Sequence, residues 1–533
     1  MGLRIIYGKP GSGKSQFCFS EIAKLIDKKE SIFIITPEQF SFTAERKLME
    51  TVNKNAVINA EVITLTRMAY RVLNDIGGEI KQSLSKCGKA MLVYSILNKY
   101  KKELEFLGKS NENIDLVIRT ITEFKKHGIT INNLKDEMEK TQDAYLKTKL
   151  SDMILLYENF ENKIVDNYID DTDLLTILVK HLDEVEFIKN SIIYIDEFAG
   201  FTHQEYEIIK GLIKYAKQVN ITICVDNLNP AINPDTDIYY SNKITLYKLI
   251  DLVNENNFKL EEPVFLKDQY RFKTKELKHL ANNIYEIQST KYEENVENIR
   301  LFLAKNPYSE IENIAKEIKK LVRDKKIRYK DISIITKNID TYASLVRAIF
   351  KQYEIPVFID EKRDLNQNII IQYVLSILEI LVKNFSSESV FSYVKLGFCE
   401  IDEDEIFKLE NYCNKWGIKQ NKWKKDFNIE AEDKSKKQEV ERLNELRKQI
   451  IMPLIELKES IKKEKTAINV TKSLYEFIQN QKIEEKVISR ISKLEEEKNI
   501  DLSNEYKSSY QVLIEILDEI VLIFNEEKIS LDN

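Results

Sequence analysis

The octapeptide Gly8-Lys9-Pro10-Gly11-Ser12-Gly13-Lys14-Ser15 constrains the fold of this chain more than any other feature. It fits the pattern G-x-x-x-x-G-K-[S/T], lies between the apolar run 3–7 and a segment with helical spacing, and therefore predicts a strand–loop–helix unit that binds phosphate. Backbone N–H groups of the loop would face the phosphate oxygens at a helix N-terminus. Lys14 would reach the outer phosphates, and the Ser15 hydroxyl would ligate Mg²⁺. We therefore predict a nucleotide site that includes Gly8, Gly11, Ser12, Gly13, Lys14 and Ser15.

A second motif supplies the carboxylates that such a site needs. The apolar run Ser191–Ile195 ends in Asp196 and Glu197. In P-loop NTPases the aspartate helps to hold Mg²⁺, and the adjacent glutamate orients or deprotonates the attacking water. We predict these roles for Asp196 and Glu197, with Ser15 as the other protein ligand of the metal. Because 180 residues separate Ser15 from Asp196, we expect a large insertion between the motifs, which favours a helicase-type core.

Composition excludes several classes of protein. The chain has 533 residues, 43% of them hydrophobic, and a net charge of −6, so several cores are expected and no global basic field. Its five cysteines are isolated, which predicts neither a zinc site nor an iron–sulfur cluster. No apolar run reaches 18 residues, so we expect no membrane partner and a cytoplasmic, nucleoid-associated location.

The order of apolar and amphipathic segments predicts an α/β fold. We expect a P-loop NTPase of the superfamily 1 helicase type, with two RecA-like α/β domains that are each interrupted by a helical insertion. The second α/β domain is predicted from strands at 299–303, 332–336 and 356–359. The predicted boundaries are 1–80 plus 166–275 for the first RecA-like domain, 81–165 for its insertion, 276–370 for the first part of the second domain, and 371–533 for its insertion.

Several further segments resemble one family, AddB, which is one of the two subunits of the bacterial AddAB helicase–nucleases and is related to superfamily 1 helicases and to RecC. The segments are 36–45 (TPEQFSFTAE), 66–73 (TRMAYRVL), 168–175, 355–360 and 409–412. The resemblance implies a role in double-strand break repair by homologous recombination, beside an AddA-like motor and nuclease subunit, on single-stranded and duplex-end DNA. The family's nuclease domain, with its 4Fe–4S cluster, is expected to lie beyond this chain, which resembles an N-terminal half.

The chain departs from ordinary superfamily 1 motors in several places. Only seven residues precede Gly8, so we expect no upstream glutamine motif for adenine. The segment Val225–Asn229 lacks the glycine and the coupling glutamine of a G-D-x-x-Q motif, and Lys337 stands where motors often have arginine. Tyr270 and Arg271 resemble the pair that stacks on adenine and approaches the γ-phosphate, and a surface dipeptide at the start of a helix is the alternative.

Polar residues that follow or end the second and third predicted strands, the apolar runs 31–36 and 61–66, are predicted to contact DNA. Hydroxyls, amides and a guanidinium can bond phosphates and base edges, and a tyrosine offers a stacking plane. The predicted residues are Gln39, Ser41, Thr64, Thr66, Arg67 and Tyr70; the resemblance implies a role in Chi recognition for Gln39, Arg67 and Tyr70. For Tyr70, packing in the core remains an alternative.

A lysine-rich stretch with both tryptophans, 415–425, is either a DNA contact or a pair of helix anchors. The run 433–447 is predicted to be a solvent-exposed amphipathic helix.

These features predict a helicase-like subunit that binds ATP, Mg²⁺ and single-stranded DNA while a partner motor translocates. Two alternatives remain open at this point. One is an autonomous superfamily 1 translocase, and the other is a non-enzymatic scaffold that reads DNA as RecC does. Whether the chain hydrolyses ATP or only binds it does not follow from the sequence.

Overall fold

The computed structural model describes residues 2–28, 30–53, 57–77, 82–107, 113–230, 233–286, 288–361, 365–428 and 434–531. The chain divides into two compact units, Met1–Arg300 and Leu301–Asn533. The predicted first domain and its insertion both fall within unit 1. The predicted boundary at 275/276 differs from the division between the units.

Unit 1 is an α/β unit with strands near both ends and helices between them. Its strands are β1 (Gly2–Tyr7), β2 (Ile32–Ile35), β3 (Ala60–Ile63), β4 (Gln82–Ser83), β5 (Tyr168–Ile169), β6 (Ile192–Ile195), β7 (Gln218–Ile223), β8 (Lys259–Leu260) and β9 (Val264–Phe265). Its helices are α1 (Lys14–Leu25), α2 (Glu38–Val52), α3 (Leu65–Ile76), α4 (Lys86–Lys99), α5 (Ile114–Lys126), α6 (Ile131–Lys140), α7 (Ala144–Asn167), α8 (Asp171–His181), α9 (His203–Tyr215), α10 (Tyr240–Glu255) and α11 (Lys275–Asn283).

A parallel sheet organises unit 1. Its strand order is β3-β2-β6-β7-β1-β8, and β9 also pairs with β1. The central strands are apolar and buried on both faces, as is usual for parallel sheets covered by helices. Ile5 belongs to the core on one face and Ile6 to the core on the other. All ladders in the sheet are parallel, so the strands end at one common edge, where α/β proteins bind ligands.

Helices α4 to α7 leave the sheet domain and return to it through a short parallel pair. Gln82 pairs with Tyr168 and Ser83 with Ile169, which brings the two ends of this helical segment together. Its position agrees with the helical segment expected between the two sequence motifs. The four helices α4 to α7 therefore form a helical segment that is inserted between the two sequence motifs of the sheet domain.

Unit 2 is helical in the part that the structure describes. Its helices are α12 (Pro307–Lys325), α13 (Ile339–Gln352), α14 (Ile369–Val382), α15 (Ser387–Val394), α16 (Glu403–Trp416), α17 (Lys434–Lys463), α18 (Ala467–Asn480), α19 (Ile483–Glu496) and α20 (Ile500–Phe524). One core joins α14 to α20, and a smaller core joins α12 to α13. Among the described residues of both units, no helix combines the length and the apolar character needed to cross a membrane.

The prediction of three strands in unit 2 was wrong for this structure. The segments 299–303, 332–336 and 356–359 contain no assigned strand, and Leu303, Ile335 and Phe358 are at least 88% exposed. An alternating apolar pattern indicates side chains suited to a buried sheet, but a strand also needs a neighbour with which to pair its backbone. A second RecA-like sheet is therefore not shown among the described residues, and helices α12 and α13 lie between these segments.

The structure decides between the two alternatives for Trp423 and corrects the expectation for one residue of the run 433–447. Trp423 is fully buried and packs against Phe391 and Phe427, so it anchors the core and offers no surface to DNA. Arg447, expected on an exposed helix face, is 2% exposed; its guanidinium donates to the Trp423 carbonyl and pairs with Asp426. Buried aromatic and guanidinium groups therefore pack together here, although lysines surround them in the sequence.

Candidate nucleotide site

The glycine-rich octapeptide forms a loop between β1 and the first turn of α1. Gly11 and Gly13 both have φ of +84°, a left-handed conformation that is costly for residues with a Cβ. Gly13 is the N-cap of α1, so the loop delivers its backbone N–H groups to a helix N-terminus. This cradle has the polarity that a phosphate requires.

The Lys14 side chain folds back onto the loop. Its Nζ donates to the Gly8 carbonyl at 2.9 Å and to the Lys9 carbonyl at 3.2 Å. Ser12, predicted to bind the nucleotide, is buried, and its hydroxyl has no hydrogen-bond partner among the described residues. Neither Ser12 nor Gly8 lines the adjoining cavity, and the Ser12 N–H donates to the Lys9 carbonyl at 3.1 Å within the loop.

The two predicted carboxylates lie beside the loop but in different surroundings. Asp196 follows β6, is 4% exposed, and accepts a hydrogen bond from the Thr222 hydroxyl of the neighbouring strand β7. Glu197 accepts from the Ser15 hydroxyl at 3.1 Å. Its φ of +66° is uncommon for a residue with a side chain, and such strain is concentrated at functional sites. The structure thus brings Lys14, Ser15, Asp196 and Glu197 together from two distant parts of the chain.

A cavity of about 400 Å³ lies between these residues. Lys14, Lys47 and Arg271 bring positive charge to its wall, and Asp196 and Glu197 bring negative charge. This combination fits a polyphosphate with a divalent cation, because the lysines and the arginine match phosphate while the carboxylates and the Ser15 hydroxyl provide oxygen ligands for Mg²⁺.

Sequence reasoning missed several residues of the cavity wall. Lys47 comes from α2, Thr222 and Cys224 from the end of β7, and Asn242 from the start of α10. Burial raises the pKa of the Cys224 thiol above its ordinary value, and the nearby Lys14 ammonium opposes that increase. For Thr222, the sequence signal was a polar residue within the otherwise apolar run Ile221–Ile223, which indicates a side chain with a specific partner.

The segment from Leu266 to Arg271 covers the loop from the other side. The Leu266 N–H donates to the Tyr7 carbonyl and the Tyr270 N–H to the Gly11 carbonyl, both at 2.9 Å. A Cβ on Gly11 would lie 2.7 Å from the Cβ of Arg271, so the fit leaves no room for a side chain there. The alternative that Tyr270 and Arg271 begin a surface helix is excluded, because α11 begins at Lys275.

Ion pairs and hydrogen bonds connect the loop after β7 to α10. The Lys243 ammonium pairs with Asp226 at 3.2 Å and with Asp237 at 2.7 Å. The Asn242 amide donates to the Cys224 carbonyl at 3.0 Å, and the Tyr247 hydroxyl donates to the Leu228 carbonyl at 2.9 Å. The Asp226 carboxylate in the loop is therefore paired with Lys243 of helix α10.

Comparisons with known proteins identify the family. A model of the family described as "ADDB, N-terminal" matches residues 5–281, which is more than half of the 533 residues. The chain belongs to the AddB N-terminal family. It is 37% identical over 548 aligned residues to the B subunit of the ATP-dependent helicase/deoxyribonuclease of Clostridium botulinum (strain Loch Maree / Type A3), with 100% of this chain and 48% of the relative covered.

Other relatives with the same name are similar to the same extent. The protein of Clostridium tetani is 38% identical, with 99% of this chain and 48% of the relative covered. That of Caldanaerobacter subterraneus subsp. tengcongensis is 37% identical, with 100% and 47% covered. The chain thus spans about half the length of the curated relatives it matches.

The residues of this AddB-family chain that were predicted to contact DNA lie at the same sheet edge as the cavity, but not all have free side chains. Gln39 and Arg67 are exposed, and Arg67 pairs with Glu45 at 3.7 Å. Thr64 is buried, and its hydroxyl accepts from the Arg67 N–H as the N-cap of α3. Thr64 therefore caps helix α3, and its buried hydroxyl is not accessible to a ligand.

The remaining predicted DNA residues are half-buried or bonded locally. The Ser41 hydroxyl donates to the Glu38 carbonyl at 2.9 Å. Thr66 and Tyr70 are half-buried, and Tyr70 packs against the core beside the sheet, in agreement with the alternative weighed for it. Phe42 on α2 was not predicted, yet it is 73% exposed next to Ser41. A stacking plane at this edge is therefore better supplied by Phe42 than by Tyr70.

Proposed function

We propose that this chain is the N-terminal, helicase-like part of a bacterial helicase–nuclease subunit that acts in double-strand break repair by homologous recombination. It binds Mg²⁺ and ATP in unit 1 and takes up single-stranded DNA from duplex ends, beside an AddA-like motor and nuclease subunit in the cytoplasm. The nuclease activity belongs to a C-terminal domain of the longer relatives. The observation that carries the proposal is the cavity at which the glycine loop, Lys14 and the Asp196–Glu197 pair meet.

Different residues of this site are proposed to bind the phosphates, the base, the metal ion and the attacking water. Lys14 and the loop N–H groups bind the outer phosphates, Arg271 adds a cation, and the exposed ring of Tyr270 stacks on the base. Ser15 and Asp196 would hold Mg²⁺, which would supply charge neutralisation of the phosphates. Glu197 accepts the proton of an attacking water. Thr222 fixes the Asp196 carboxylate through its hydrogen bond.

The DNA interface follows from the same sheet edge. Gln39 and Arg67 are exposed there with Phe42 beside them, which gives an amide, a guanidinium and an aromatic ring for a single strand. Family membership supports a role of the exposed residues Gln39 and Arg67 in capture of the Chi sequence, whereas Tyr70 packs against the core.

Equilibrium binding of Mg·ATP, measured by titration calorimetry, tests the nucleotide site. We expect saturable binding with one site, and a Kd about 10- to 100-fold higher for Lys14→Ala, because a charge-assisted contact is lost. Lys24→Ala is the matched control, since Lys24 is an exposed lysine in the last turn of the same helix. Equal Kd values for wild type and Lys14→Ala, or the absence of binding, would reject the site.

Turnover and strand separation test the dependence on a partner subunit. We expect at most slow ATP hydrolysis by the chain and no unwinding of a tailed duplex on its own. Efficient unwinding by the chain alone that is lost in Lys14→Ala would contradict the proposal and establish an autonomous translocase.

A further inference from the structure

Lys47 is a residue of the cavity wall to which the proposed function assigns no role. It is half-buried on α2 and lines the cavity together with Ser15 and Glu197. Its ammonium makes neither an ion pair nor a hydrogen bond to another residue that the structure describes. Its neighbour Arg46, by contrast, pairs with Glu50 at 3.5 Å. Lys47 therefore brings to the cavity a positive charge that is not paired with a described carboxylate.

The position of Lys47 is set by the packing of α2 on α1. Ala44 and Leu48 of α2 are buried in the same core as Phe19 and Ile22 of α1. Residues three and four apart lie on one face of a helix, so Lys47, three residues after Ala44, lies at the border of the face that packs on α1. From such a position a lysine can bury its stem and extend its ammonium into an adjoining polar cavity.

The strand order of the sheet separates Lys47 from the other cations of the cavity wall. Helix α2 follows β2, Asp196 and Glu197 follow β6, and the loop with Lys14 follows β1. In the sheet, β6 and β7 lie between β2 and β1. Arg271 lies against the glycine loop itself. Two of the three cations are therefore on the loop side of the carboxylates, and the element that carries Lys47 follows the strand on their other side.

We propose that Lys47 binds the terminal phosphate of the nucleotide and thereby favours a triphosphate over a diphosphate. The inference rests on the proposed function, in which the glycine loop holds the phosphates and Glu197 accepts the proton of the water that attacks the terminal one. That phosphate must then face Glu197, on the side from which Lys47 comes. Lys14 and Arg271 match the charges of Asp196 and Glu197 one for one, so Lys47 is the cation left to match the additional charge of a triphosphate.

Titration of Mg·ATP and Mg·ADP against the full chain tests the inference. The variants are Lys47→Met and Lys47→Gln, which both remove the charge and keep a long side chain with good helix propensity. Arg46→Met is the matched control, because Arg46 is exposed on the same helix and does not line the cavity. A melting curve of each variant shows that it is folded.

The readout is the ratio of the Kd for ADP to the Kd for ATP. We expect both variants of Lys47 to lower this ratio about tenfold, because a charge-assisted contact with the terminal phosphate is lost, while the Kd for ADP changes by less than about twofold. Arg46→Met should keep the ratio of wild type. An unchanged ratio in Lys47→Met and Lys47→Gln, or an equal loss of affinity for both nucleotides, would overturn the inference.

The proposed function and this inference fail in different ways. If neither nucleotide binds, or if Lys14→Ala leaves both Kd values unchanged, the nucleotide site itself is rejected. If Lys14→Ala weakens the binding of both nucleotides while the variants of Lys47 keep the ratio of wild type, the site stands and the role of Lys47 is rejected.

Discussion

Replacing Lys125 with methionine tests how the helical segment between the two motifs is held to the rest of unit 1. The Lys125 side chain is 4% exposed, and its ammonium pairs with Glu161 of α7 at 2.6 Å, Asp173 of α8 at 2.9 Å and Asp170 at 3.7 Å. Lys89 of α4 pairs with the same Asp170. Removing Lys125 leaves three carboxylates to one ammonium.

The expected cost follows from burial. Removing one partner of a fully buried ion pair costs about 3–5 kcal/mol, because a charge is left uncompensated. Asp173 and Glu161 retain 27% and 29% of their side-chain exposure, so water screens part of the remaining repulsion. We expect Lys125→Met to lower the free energy of unfolding by about 3 kcal/mol, and the melting temperature of unit 1 by about 6–12 °C.

The dependence on pH identifies the cause of that loss. Burial raises the pKa of Glu161, and Lys125 opposes that rise. Burial also acts to raise the pKa of Asp170, but bonds to Lys89, Lys125 and Thr172 outweigh it, and the pKa is lowered. Without Lys125 the folded-state pKa values of these carboxylates move upward. A group whose folded pKa lies above its unfolded value contributes stability at low pH and loses it as the pH rises through the folded pKa.

Thermal unfolding followed by circular dichroism at pH 5 and pH 7 therefore provides the test. The deficit of Lys125→Met should be larger at pH 7 than at pH 5, because the ordinary glutamate value is 4.5 and the unpaired carboxylates bind protons near it. Lys126→Met is the matched control, since the neighbouring lysine is half-buried, with 41% of its side chain exposed, and pairs with Glu123 of its own helix. A deficit equal to that of the control, or one that does not change with pH, would refute the reasoning.

Two further substitutions test local features of the two units. Glu197→Gly should change the free energy of unfolding by less than about 0.5 kcal/mol, since glycine adopts the observed φ of +66° without strain, whereas Glu207→Gly on α9 should lower it by about 1 kcal/mol. ATP turnover should disappear only in Glu197→Gly, and a clear loss of stability in that variant would argue against the strained conformation. Trp423→Ala should lower the free energy of unfolding by about 3–5 kcal/mol and Trp416→Ala by less than about 1 kcal/mol, because Trp423 is fully buried and Trp416 is 48% exposed. Similar melting temperatures for the two variants would contradict the assignment of Trp423 to the core.

The sheet of unit 1 was predictable because each central strand is a short apolar run that ends in polar residues. The strands β1, β2, β3 and β6 coincide with predicted apolar runs, apart from shifts of a few residues at their ends, and β7 overlaps the apolar run 221–225. The strands β8 and β9 have only two residues each and are largely exposed, so no pattern distinguished them from loop. In unit 2 the same kind of pattern failed, because apolar alternation does not specify a pairing partner.

The site was predictable only where its residues are neighbours in sequence. Lys14 with Ser15, and Asp196 with Glu197, belong to local motifs. Lys47, Thr222 and Asn242 reach the cavity because α2, β7 and α10 meet at one edge of the sheet. That meeting depends on strand order, which places β7 between β1 and β6. A local pattern contains no such information, which is why Thr222 went unnoticed although it holds Asp196.

The hydrogen bonds inside the cavity show how far the site is prepared for its proposed ligand. An ammonium has three N–H donors. Lys14 donates two of them to the Gly8 and Lys9 carbonyls, which fixes the position of its side chain and leaves the third for a phosphate. A hydroxyl has one donor and two lone pairs. Ser15 uses its proton on Glu197, so both lone pairs remain for a cation. The same hydroxyl therefore fixes the distance between the proposed metal position and the proposed base, and the strained backbone of Glu197 is what keeps that carboxylate within its reach.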